Sequence, residues 1–132
     1  MRLVLAIMAL SLLGYCKDET VTGHGGADAV WHLQSIDGEG FAARATLEFP
    51  AEGELVGAAP CNHYSGRQTQ PYPWFAAEAV VATKRACPEL AAEMLYLAAL
   101  GEMTLVEVVG DTLILSNVAG REMVFQALDR AE

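Results

Sequence analysis

Basic residues are scarce in this 132-residue sequence. Eight Lys and Arg stand against 17 Asp and Glu, a formal net charge of −9. No basic patch results, which argues against nucleic-acid binding, where cations must replace the counterions along the phosphates. Long apolar runs are also missing. The longest, Leu3 to Tyr15, is interrupted only by Ser11, and it falls short of the roughly 20 residues that span a bilayer. Cysteine is limited to Cys16, Cys61 and Cys87. Cys61 and His63 form a lone Cys-x-His pair, which even with Cys87 is short of a recognisable zinc or copper set. No base stands at motif spacing from Ser65 or Thr83, so nucleophilic catalysis has no support. There is no internal repeat and no second boundary, which leaves one domain.

What is present begins at the N-terminus. Arg2 precedes the apolar run, and after Cys16 the chain turns polar at once, through Lys17-Asp18-Glu19-Thr20. A charged start, a short apolar stretch and an abrupt polar exit describe a secretory signal over residues 1–15. Leu13-Gly14-Tyr15-Cys16 resembles the bacterial lipobox, with bulky Tyr15 where that motif usually has a small residue. The resemblance implies lipidation of Cys16 and a protein of the periplasm held to a membrane. Lys17 after the cysteine resembles outer-membrane sorting. A cleaved soluble form and an uncleaved anchor are the alternatives. Removing residues 1–15 from the 132 leaves 117, and losing Arg2 takes the charge to −10. Such a surface is repelled by anionic lipid, so membrane attachment is expected from the N-terminus alone, and it suits a basic partner.

With Cys16 lipidated, Cys61 and Cys87 remain, and two thiols in an oxidising compartment tend to pair. The bridge would close a loop of about 26 residues, worth roughly 3–3.5 kcal/mol in the chain-entropy model. The alternative is two free buried thiols.

Residues 16–28 are polar and Gly-rich and read as a tether, followed by a folded domain over 29–132. A strand is expected around Trp31 and Leu33, then a turn at Asp37-Gly38-Glu39-Gly40. From 43 to 49, Ala43, Ala45, Leu47 and Phe49 alternate with Arg44, Thr46 and Glu48, the pattern of a strand with one solvated face. A turn at 50–53 returns the chain as a second strand over 54–58. Residues 63–68 and 75–83 are strand-capable. A helix is expected over 88–101. Pro88 and Glu89 suit its first turn, Leu90, Met94, Leu97 and Gly101 recur at helical spacing, flanked by Ala91, Leu95 and Ala98, and Gly101 is its stop. Three strands over 104–109, 112–116 and 121–127 close the chain. Together these give an α+β class, mostly antiparallel, with a small barrel-like or cracked-barrel sheet and one covering helix.

The pattern of unusual residues resembles the META domain, also called the HslJ-like family, of small exported bacterial proteins. In that family a Trp-x-Leu strand precedes a Gly-Cys-Asn-x-Tyr-x-Gly segment, a Thr-x-x-Cys segment, a helix with a glutamate and a Gly-Asp-x-Leu-x-Leu hairpin. The matches are Trp31 and Leu33, then Cys61, Asn62, Tyr64 and Gly66. Thr83 and Cys87 follow at one residue longer than the family spacing, then Glu93. Gly110, Asp111, Leu113 and Leu115 close the series. Pro60 stands where the family has glycine, and the residues between Thr83 and Cys87 include the basic pair Lys84-Arg85. The resemblance implies a β-rich α+β domain of the cell envelope, with links to stress or antibiotic tolerance and to motility or secretion. It implies no catalytic residues and no cofactor.

From the residues themselves, Asn62 is expected as a turn former and Tyr64 as a half-buried ring with its hydroxyl bonded. Glu93 is either solvated or buried with a partner such as Arg85 or Lys84. Tyr72, Trp74 and Phe75 form either an exposed lip for a partner peptide or acyl chain or a plug for one end of the barrel. The leading expectation is a non-enzymatic envelope lipoprotein, a binding or structural module whose working surface is the 59–75 loop. Its partners would be the membrane, through Cys16, and an envelope protein or apolar ligand. A periplasmic inhibitor of a basic hydrolase such as lysozyme is the second reading. A metal-dependent enzyme on Cys61, His63 and Cys87 is the third.

Overall fold

The computed structural model describes residues 29–130, the side chains of 129 and 130 aside. The expected leader, the lipidation site Cys16 and the tether lie outside the described residues. Nine strands and one helix follow in order: β1 Ala29–Ile36, β2 Glu39–Gly40, β3 Thr46–Leu47, β4 Gly53–Ala58, β5 His63–Gln68, β6 Glu78–Ala82, α1 Leu90–Glu102, β7 Leu105–Val109, β8 Thr112–Ser116 and β9 Glu122–Arg130.

Two antiparallel sheets make up the body. The larger runs β2-β1-β9-β8-β7, with β3 also on β1, and the smaller runs β4-β5-β6. They meet where Glu48 and Val56 exchange backbone hydrogen bonds of 2.8 and 3.0 Å. On the other flank, Trp74 bridges to Leu105 at the start of β7. The sheets do not close, and β6 has no strand on its outer edge among the described residues. The result is the cracked barrel with a helix that the sequence pattern predicts.

Alternation places the core. Trp31 and Leu33 of β1, Leu113 and Leu115 of β8, and Met123 and Phe125 of β9 point inward and are buried. Turn chemistry places the corners. Asp37 and Gly38 both have positive φ, 53° and 82°, the type I′ geometry that matches strand twist and favours Asp-Gly.

Three expectations are corrected. The strand over 43–49 forms ladder pairs only at Thr46–Leu47. Ala45, Leu47 and Phe49 do face the core, but Thr46 is buried as well, because its hydroxyl accepts from the Ala58 N–H at 2.9 Å. The helix turns a different face inward. Glu93, Tyr96, Ala99 and Leu100 are buried, while Met94 is 65% exposed and Leu95 66%. This segment is apolar on nearly all sides, so period alone does not select its inner face. The choice falls to the two residues whose polar atoms find partners inside. Gly101 does not stop the helix, which runs on to Glu102. Met103 leaves it in an extended conformation. Among the described residues no helix is long and apolar enough to cross a membrane.

Candidate functional site

The densest polar cluster joins the segment 61–62, the segment 83–87 and the buried face of α1. Cys61 and Cys87 form a disulfide with Cα atoms 5.6 Å apart. Beside it Glu93, 4% exposed, receives three hydrogen bonds. Its Oε1 accepts from the backbone N–H of Cys61 at 2.8 Å and of Asn62 at 2.9 Å. Its Oε2 accepts from Asn62 Nδ2 at 2.7 Å. A carboxylate offers only acceptors, and donors alone face it here. Of the two alternatives, Glu93 is the buried one and not the solvated one, but the cationic partner expected with burial is corrected. Lys84 and Arg85 are exposed, and the carboxylate is held by backbone and amide N–H groups.

Asn62 is a hub rather than a simple turn residue. Its Oδ1 accepts from the Arg85 N–H at 2.6 Å and the Thr83 hydroxyl at 2.9 Å. Its Nδ2 donates to the Arg85 carbonyl as well as to Glu93. Thr83 adds a bond from the His63 N–H to its hydroxyl. Four family-motif residues (Cys61, Asn62, Thr83, Glu93) thus form one network with the disulfide, and among the described residues no buried side-chain polar atom lacks a partner.

One turn further along α1 lies a pair of phenols. Tyr64 and Tyr96 share a hydrogen bond of 2.6 Å between their hydroxyls, and Tyr64 also donates to the Thr46 carbonyl at 2.6 Å. Tyr64 is more deeply buried than expected, at 3% exposed. Burial, with the neighbouring Tyr96 phenol adding to it, pushes Tyr64 well above the ordinary tyrosine range. Burial pushes Tyr96 up as well, and its bond with Tyr64 offsets part of that. The ring of Tyr64 crosses β4 at Gly57, where any Cβ would run into the Thr46 carbonyl and the phenol. Gly66 meets the β5–β6 bulge in the same way, with a Cβ 2.8 Å from the Glu78 carbonyl. Thr46, Gly57 and Tyr96 were not singled out by the sequence reading. The available signals were a glycine inside a strand pattern, which marks close backbone approach, and a tyrosine three residues after Glu93 on one helix.

The three aromatics do not assemble into a lip. Phe75 is buried in the core at 2% exposed, which is the plug alternative. Tyr72 packs against the core, and its hydroxyl accepts from the Val108 N–H at 3.1 Å. Trp74 is exposed. The 59–75 segment is not one loop either: it begins with the buried residues Ala59, Cys61 and Asn62 and continues as β5. The disulfide engages both sulfurs that a metal site would have used, and His63 is an exposed residue of β5.

A family model described as the META domain matches residues 24–130. No curated protein matches. Among solved structures, one described as the NMR structure of the protein from Burkholderia xenovorans has a TM-score of 0.64 and 19% identity, covering 96% of this chain and 100% of its own. A second, described as the NMR structure of the protein, has a TM-score of 0.61 and 18% identity, covering 77% of this chain and 91% of its own. At these identities the likeness is one of fold.

Proposed function

The chain belongs to the META domain family, and on that premise we propose that it is a non-enzymatic cell-envelope lipoprotein, exported, acylated at Cys16 and working as a binding or structural module. One observation carries this reading. The polar groups that a catalyst would keep available are engaged in the fold: Glu93 by three donors, Asn62 on both of its side-chain atoms, and Tyr64 and Tyr96 by each other. The Cys61–Cys87 disulfide supports an oxidising compartment such as the periplasm, and Lys17 after Cys16 supports attachment at the outer membrane. Membership of the META domain family supports a role in envelope stress or antibiotic tolerance. Mass spectrometry of the mature N-terminus tests the reading. Acylated Cys16 in the membrane fraction is expected. Intact protein beginning at Met1 in the cytosol overturns it.

Charge favours a second reading, an inhibitor of a basic hydrolase such as lysozyme. The net charge of −9 is displayed partly on exposed Glu52, Glu54 and Glu107. A pull-down with lysozyme at low and high salt decides it, because a complex of this kind weakens with ionic strength.

A further inference from the structure

A groove of about 760 Å³ runs between α1 and β6 with the segment that follows it, with Asn62 and Glu93, whose carboxylate is already held by three donors, on its wall. Its size falls within the roughly 300–1,000 Å³ of ordinary ligand sites. Val80 and Ala82 line it from the strand, and Leu90, Leu97 and Ala98 from the helix. Lys84 and Arg85 stand on it as well. They are adjacent cations in a chain with only 8 Lys and Arg. Both are exposed, and the ion pairs found among the described residues belong to Arg121.

The strand side is an open edge. Thr83 donates its N–H to the His63 carbonyl at 3.0 Å, and Ala82 is opposite Tyr64. In an antiparallel ladder successive residues alternate in direction, so the N–H and C=O of Ala82 point away from β5. A left-handed residue, Ala79 with φ 52°, bulges the start of β6 and leaves Val80–Ala82 as the straight part of the edge.

From these observations we infer that the groove takes an extended acidic peptide segment of a partner protein, which pairs with the outer edge of β6 and sets its carboxylates against Lys84 and Arg85. Strand addition to an open edge supplies affinity through main-chain bonds, and side-chain pockets supply specificity. The apolar strip from Val80 to Leu97 suits a segment that alternates acidic with apolar residues. This deepens the binding-module reading by naming a surface and a partner chemistry.

The test is an amide-resonance titration of the isotope-labelled full chain with a blocked decapeptide that alternates glutamate with valine and threonine. Saturable shifts centred on Val80–Arg85 are expected. Replacing the peptide's central residue by proline should abolish them. The double variant Lys84→Glu/Arg85→Glu, which alters exposed side chains only, should weaken binding at least about tenfold, an effect that added salt diminishes. A lysine-for-glutamate peptide should not bind. Unchanged affinity for the proline peptide, shifts located elsewhere, or no shifts at millimolar peptide would each overturn the inference. So would saturation of the groove by dodecanoate or anionic vesicles with no response to the peptide. A chain acylated at Cys16 that ignores the peptide loses this groove as a peptide site and keeps its place in the envelope.

Discussion

Glu93 shows what decides whether a buried charge is tolerated. An uncompensated carboxylate is costly to bury, and sequence reading turns naturally to a nearby cation. The structure instead aims two backbone N–H groups and an amide at it. Backbone donors carry no letter in a sequence, so Glu93 was recognisable as a motif residue while its partners were not. Glu93→Gln is therefore expected to destabilise the domain. Glutamine puts an NH₂ against the Asn62 amide, whose own oxygen is already engaged by Thr83 and Arg85. Loss of one charge-assisted bond and a donor-to-donor contact should cost about 1–3 kcal/mol in urea unfolding. Lys84→Ala and Arg85→Ala should each stay within about 0.5 kcal/mol, as exposed unpaired positions do. A cost for Arg85→Ala equal to that of Glu93→Gln would restore the salt bridge that the hydrogen bonds replace.

At the scale of elements, the disulfide and the helix face make separate claims. The Cys61–Cys87 bridge ties the start of the β5 hairpin to the approach of α1. Cys61→Ser should lower stability in oxidising buffer by roughly 3 kcal/mol and leave it close to wild type in reductant. Equal melting temperatures in both buffers would show that the bridge does not contribute. For the helix, Met94→Gln should be neutral, while Tyr96→Ala should cost about 3 kcal/mol or more, as deletion of a large core ring does. Thermal unfolding of the two variants compares the faces directly, and the reverse order would mean that the helix is rotated. Element existence was largely legible: the apolar run around Trp31 and Leu33 marked β1, the turn at 50–53 marked β4 as a returning strand, the three C-terminal strands were expected, and Asp-Gly and Gly-Asp marked the tight turns, whereas alternation over 43–49 overstated β3. The inner face of α1 was not, since residues such as Leu90, Met94 and Leu97 make an apolar stripe as convincing as the true one. Only tertiary contact with Asn62 and Tyr64 selects Glu93 and Tyr96. Within the 59–75 segment, 63–68 reads as strand-capable and forms β5, held by ladders to β4 and β6; the reading of the whole segment as a loop fails because its prolines and glycines do not reveal the burial of Ala59, Cys61 and Asn62.

Over the whole molecule, titratable groups set an acid and an alkaline limit to stability. Asp37 sits in the β1–β2 turn and joins it to residues 84 and 85 positions later. Its Oδ2 accepts from Arg121 Nε and Nη2 at 3.1 and 2.8 Å, and its Oδ1 from the Glu122 N–H at 3.0 Å. The Arg121 hydrogen bond first, and then the Glu122 N–H, hold the Asp37 carboxyl below the usual range. A carboxyl depressed in the folded state contributes stability that is present above its unfolded pKa and lost as pH falls through the folded one. Asp37→Asn keeps a side chain that tolerates positive φ and gives up the charge. Wild type should exceed this variant in stability at neutral pH, and the gap should close as pH falls through the acid range. A gap that stayed constant down to the lowest pH would show that the charge contributes nothing. Tyr64 and Tyr96 act in the opposite sense. Their raised folded values mean that stability, intact below the ordinary tyrosine pKa of 10.0, declines as pH climbs past it. Their ultraviolet ionisation change should appear only with unfolding. Tyr96→Phe should flatten the alkaline limb by removing one of the two groups. Ionisation of Tyr64 and Tyr96 ahead of any loss of fold would contradict the buried phenol pair on which the inner face of the helix rests.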